Sequence, residues 1–174
     1  MQNILITPKP YNMNLTINIK QGIGDIHFQM PVEDVVALLG TADEVENIDN
    51  AADEPTTVLR YNDLGLTLFF EGENPILACI DTCNEDCTLF GKEVFDMTER
   101  QIVELMVKNG YHEQDIDDED WGERRVSFPE GNIDFYFDED ELMSVIIGQR
   151  QHSSAPPTSL PLHTLQRCNN TTTS

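Results

Sequence analysis

Two stretches of this chain carry apolar residues three and four positions apart, the spacing that lines one face of a helix. They are Met30–Gly40 (MPVEDVVALLG) and Met97–Met106 (MTERQIVELM). Set 67 residues apart, they bring Val35 onto Ile102, Val36 onto Val103, Leu38 onto Leu105 and Leu39 onto Met106. Pro31 stands in the first turn of the first helix, where proline is tolerated, and Glu33 and Asp34 complement the helix dipole there. Gly40 is placed to end it. Thr98 is the expected N-cap of the second helix, with Gln101 completing a capping box, and Asn109-Gly110 stops it.

Alternating positions predict the strands. Leu15, Ile17 and Ile19 alternate with Thr16 and Asn18. Gly22-Ile23-Gly24 reads as a turn, and Asp25 to Phe28 as a short strand with His27 outward. Thr57 to Asn62 is followed by LGLTLFF, in which Leu64, Leu66, Leu68 and Phe70 alternate strictly. Glu71 to Pro75 forms a hairpin loop, and ILACID returns. Ile133, Phe135 and Phe137 repeat Leu66, Leu68 and Phe70 at the same 67-residue offset. Arg124 to Phe128 and LMSVIIG are the remaining strands. Val45 and Ile48 suggest a strand that dissolves into NIDNAADEPT, and EQDIDDEDWGE reads as an acidic loop. The prediction is an α+β fold of two tandem repeats, each a short helix packed on an antiparallel sheet. Residues 1–12 are expected to be a flexible N-terminus, 13–81 the first repeat, 82–148 the second, and 149–174 a Pro-, Ser- and Thr-rich disordered tail.

Charge changes this picture most. The chain has 32 acidic residues against 10 basic ones, a net of −22. All the acids lie between Asp25 and Glu141, where six bases leave a net of −26. Such a field repels nucleic acid and anionic membrane and favours a basic protein partner or a cation. Acidic surfaces also serve solubility alone. The four cysteines, Cys79, Cys83, Cys87 and Cys168, form no CxxC pair and stand near no histidine at zinc-site spacing. A Cys83–Cys87 or Cys79–Cys87 disulfide would need an oxidising compartment. The N-terminus lacks the pattern of a secretory signal, and no stretch has the ~20 apolar residues of a membrane span. The expectation is a soluble cytoplasmic protein with free thiols.

Three acidic runs, Asp49 to Glu54, Asp115 to Glu123 and Asp138 to Glu141, read either as a binding face or as solvated turns. The residues expected to bind a partner are Asp49, Asp53 and Glu54 from the first repeat. From the second they are Asp115, Asp117, Asp118, Glu119, Asp120 and Trp121. Trp121, the one tryptophan, fits an interface anchor or a cap over the core. A calcium loop begun at Asp117 puts Gly122 at its sixth position but Trp121 at the fifth and Phe128 at the twelfth, so the pattern fails. No metal or other cofactor is expected. Cys79 lies within an apolar strand as an inert thiol, and no nucleophile–base pattern points to an enzyme.

The motifs GIGDIHFQM, VVALLG and LGLTLFF resemble those of the small duplicated α+β immunity proteins of bacterial polymorphic-toxin loci. The tandem layout over residues 13 to 148 is also similar to the repeats of β-lactamase inhibitor protein and of small outer-membrane-assembly lipoproteins. The chain lacks the lipidated cysteine of the latter and the paired disulfides of the former. The resemblance implies an acidic module that caps a basic cognate toxin. The alternative is a stand-alone structural or adaptor domain, in which a homodimer would pair sheet edges.

Overall fold

The structure is a computed structural model that describes residues 13–49, 54–118 and 122–149. Strands β1 (Thr16–Asn18), β2 (Gly22–Ile23) and β3 (Ile26–His27) lead into helix α1 (Val32–Leu39). Strands β4 (Glu44–Ile48), β5 (Thr56–Tyr61), β6 (Leu66–Glu71) and β7 (Ile76–Thr82) follow as an antiparallel meander. The second half repeats the plan with β8 (Thr88–Leu89), β9 (Lys92–Glu93), a 3-10 turn at Val94–Asp96 and helix α2 (Glu99–Lys108). Its meander is β10 (Asp115–Asp118), β11 (Glu123–Phe128), β12 (Ile133–Asp138) and β13 (Glu141–Gly148).

The fold is α+β, with two α-helices and two sheets among the described residues. The meanders of the two repeats merge. β13 pairs antiparallel with β7, Ile147 opposite Ile80 and Val145 opposite Thr82, giving one eight-stranded sheet ordered β10-β11-β12-β13-β7-β6-β5-β4. The smaller sheet runs β3-β2-β1-β8-β9. Its two hairpins, β2–β3 and β8–β9, correspond across the repeat, whereas β1 has no counterpart. β1 lies between them, antiparallel to β2 and parallel to β8. The expected turn at Gly22-Ile23-Gly24 is therefore largely strand, because the chain reverses on either side of β2.

The repeat extends to backbone detail. The register shift between Phe69 and Phe70 recurs between Tyr136 and Phe137, 67 residues on. Gly65 (φ 61°) and Asn132 (φ 49°) are equally spaced, and both take the left-handed conformation before a strand. Asparagine tolerates that conformation in the second copy. In the first, a Cβ on Gly65 would lie 3.0 Å from the Asn84 backbone nitrogen.

One face of the large sheet buries Leu59, Leu66, Leu68, Phe70, Phe128, Ile133, Phe135 and Phe137. Val35, Ile102 and Met106 of the helices and Ile17, Ile23, Ile26 and Leu89 of the small sheet join them in a single core. The alternation that predicts these strands thus reports a half-buried sheet. Thr98 caps α2: its hydroxyl accepts the Gln101 N–H at 3.2 Å while the Gln101 side chain accepts the Thr98 N–H at 2.9 Å. Pro31 is the N-cap of α1, one residue earlier than its expected place in the first turn. The Tyr61 hydroxyl donates to the Gly40 carbonyl at 2.8 Å and so ties the end of α1 to β5.

Two segments correct the sequence reading. The acidic run after α2 contains a strand, β10, fully paired with β11, and Val45 and Ile48 belong to a complete strand, β4, paired with β5. Each is an edge strand bearing carboxylates, a usual guard against unwanted pairing. Partnered on one side only, such a strand needs few apolar residues and leaves little alternation to read.

Phe135, 0% exposed, is expected on replacement by alanine to lower the unfolding free energy by about 3–5 kcal/mol. Because one core spans both halves, denaturant melts followed by hydrogen exchange in β5–β7 and in β11–β13 should share one midpoint.

Candidate functional site

The face of the large sheet turned away from the core mixes polar side chains with buried apolar ones, Val58 and Phe69, and register places one side chain per strand in a row across it. The row runs Asp115, Ser127, Asp134, Ile146, Asp81, Thr67, Arg60, Glu44. The repeats agree in their cores but differ on this face. Where the first has Val58, Thr67 and Phe69, the second has Arg125, Asp134 and Tyr136 at the 67-residue offset. Charged and titratable groups are thereby concentrated on the second half.

These groups are electrically coupled. Burial raises the Asp134 carboxyl above its ordinary value, while the Ser127 hydroxyl, which donates to Asp134 Oδ1, and the Arg125 guanidinium pull it back. Burial and then Asp134 push the Tyr136 phenol upward. Burial, reinforced by Asp81, Asp134 and Glu71, raises the Cys79 thiol, which is half-buried on this face. Cys87, inside the core, is raised to about 11, mainly by burial. Both thiols are free and held protonated, the opposite of what a nucleophile needs.

Both edges of the sheet repeat one arrangement: an exposed aliphatic residue between two carboxylates, with an arginine on the adjacent strand. On β4 it is Glu44-Val45-Glu46, with Arg60 of β5 3.6 Å from Glu44 and 3.1 Å from Glu46. On β10 it is Asp115-Ile116-Asp117, with Arg125 of β11 3.5 Å from Asp115 and 2.6 Å from Asp117. Val45 faces Leu59 and Ile116 faces Val126, and those partners are themselves equivalent across the repeat. Val45 is 61% exposed and Ile116 44%. Arg124 joins Asp118 at 2.9 Å to Glu99 of α2 at 3.0 Å, docking β10 onto the helix side.

The described acids among those expected to bind a partner lie at two opposite edges of the sheet. Asp115, Asp117 and Asp118 are exposed on β10 and ion-paired within the chain. Asp49 and Glu54 are exposed beside the opposite edge, seven inter-strand spacings or roughly 30 Å away. Asp53, Glu119, Asp120 and Trp121 lie outside the described residues. Sequence reasoning passed over Arg60, Arg125, Asp134 and Tyr136. The signal was present as acid–apolar–acid triplets in both repeats and as polar residues interleaved in the best strands.

Among the described residues, no group of three or more His, Cys, Asp and Glu side chains could hold a metal ion. No helix among them is long and apolar enough to cross a membrane. No protein-family model and no curated protein matches the chain, so the immunity-type resemblance rests on its residue pattern. Among solved structures, the chain is similar to an extracellular protein containing an SCP domain from Bacillus anthracis str. Ames. The similarity is 16% identity with a TM-score of 0.41, over 80% of this chain and 52% of that one. This chain thus spans about half of that protein's length. The expected cytoplasmic location does not stand. Cys83 is disulfide-bonded, a state that persists in oxidising compartments. The expectation of free thiols holds for Cys79 and Cys87 alone among the described cysteines.

Two measurements check this electrostatic picture. At pH 8, Cys87 should carry roughly one part in a thousand of thiolate and resist alkylation until the protein is denatured. Asp134, with its folded pKa raised, should make stability fall as pH rises from the ordinary carboxylate value of 3.8 through the higher folded value. Asp134→Asn should therefore gain stability relative to the native chain above that window and lose the advantage below it, as read from melting temperature against pH.

Proposed function

We propose that this chain is a binding module for a basic protein surface and acts by occupying its partner, without chemistry of its own. Inhibition of a cognate toxin is the form that the sequence resemblance suggests. One observation carries the reading. Each of the four arginines between Asp25 and Glu141 already holds carboxylates of this chain: Arg60 two, Arg100 one, Arg124 two and Arg125 two. These contacts engage four of the six bases in that window, and 32 acids against 10 bases leave most of the net −22 facing outward. The exposed hairpin turns add to it, with Glu71 and Glu73 at one end of the sheet and Asp138, Glu139, Asp140 and Glu141 at the other. A field of one sign raises the encounter rate with a partner of the opposite sign and orients the approach. It also works against self-association through the edges, since both carry carboxylates.

The test is capture of partners from the source lysate at low and at high ionic strength. The full chain would be compared with a variant carrying Glu73→Gln, Glu139→Gln, Asp140→Asn and Glu141→Gln. The expected result is a basic protein retained at low salt, released at high salt and associating roughly tenfold more slowly with the variant. Retention indifferent both to salt and to these substitutions would overturn the proposal.

A further inference from the structure

We infer that the β4 edge is a strand-docking site whose occupant is an extended segment with Lys or Arg alternating with aliphatic residues. The inference rests on the binding function proposed above and specifies where and how the partner is held. Among the described residues β4 is the last strand of its sheet, with a neighbour on one side only. Its five residues offer about 17 Å of backbone to an added strand. Side chains alternate between its faces. Glu44 and Glu46 lie on the outer face, and Val45, 61% exposed, lies on the core side, where no strand among the described residues covers it.

An added strand therefore meets carboxylate, aliphatic, carboxylate in succession. Cross-strand pairs of opposite charge and of aliphatic side chains stabilise a sheet, whereas like charges directly opposite destabilise it. One guanidinium, that of Arg60, is shared between Glu44 and Glu46, so the pair keeps a net negative charge that an incoming base can neutralise. A second copy of this chain is disfavoured, because either of its edges would bring acids against acids. The same triplet recurs at β10, so the arrangement is a property of both edges. β4 is the longer of the two and has the more exposed aliphatic residue.

The experiment titrates the isotope-labelled full chain with three synthetic peptides. One alternates lysine and valine, one has the same composition in separate blocks, and one alternates glutamate and valine. Affinity and amide hydrogen exchange are read together. The expected result is that the alternating basic peptide protects β4 amides and binds about tenfold more tightly than the block peptide, while the acidic peptide does not bind. Val45→Lys, a change at an exposed position, should weaken the alternating peptide about tenfold and leave the circular dichroism spectrum unchanged. Equal binding of the two basic peptides, or protection away from β4, would overturn the docking site and leave the acidic binding module standing. Absence of peptide binding alongside a salt-sensitive captured partner would do the same. Absence of both would remove both proposals. Concentration-dependent protection of β4 without peptide would make a second copy the occupant and overturn this inference.

Discussion

The antiparallel pairing of β7 with β13 is the contact on which the rest of the molecule depends. Without it, each meander would end in an open edge carrying fully buried side chains, Ile80 on one and Val145 and Ile147 on the other. A sheet edge of that kind is both unstable in water and prone to pair with other chains. Joining the two moves the apolar strands to the centre and the acidic strands β4 and β10 to the outside. The joined inner face is broad enough to receive both helices and the small sheet in one core. Charge and hydrophobicity are sorted by strand order as well as by sheet face.

Duplication supplies the inner face and divergence supplies the outer one. Ile133, Phe135 and Phe137 reproduce Leu66, Leu68 and Phe70 because both sets must fill the same layer. The opposite face has no such requirement. There Val58 and Phe69 have become Arg125 and Tyr136, which brings a coupled set of ionisable groups onto half of the sheet. Asp134 and Cys79 show its effect: burial and neighbouring carboxylates hold the thiol protonated and raise the carboxyl.

The parts of the fold that were legible in the sequence are those with two distinct sides. Leu66, Leu68 and Phe70 and the stripes of the two helices each turn to the core at regular spacing, so their periods appear directly. β4 and β10 were obscured because most of their side chains are exposed and none is buried, and a strand of that kind has the composition of a loop. The merger of the sheets was illegible for another reason. β7 and β13 are each read as ordinary strands, and pairing between positions more than sixty residues apart leaves no local trace. The candidate site was half legible. The acids were conspicuous, but their arginines were four among many charges, and only the register shows that Arg60 and Arg125 answer the same triplet on opposite edges.

β1 has a consequence for how such a chain can be divided. It occupies a single slot between two equivalent hairpins, so a symmetric assembly of two identical half-chains would bring two leading strands to a place that accepts one. Covalent fusion removes that competition. The smallest unit able to complete both sheets is therefore the whole tandem pair: either half alone would lack its partner meander, and the second half would also lack Ile17.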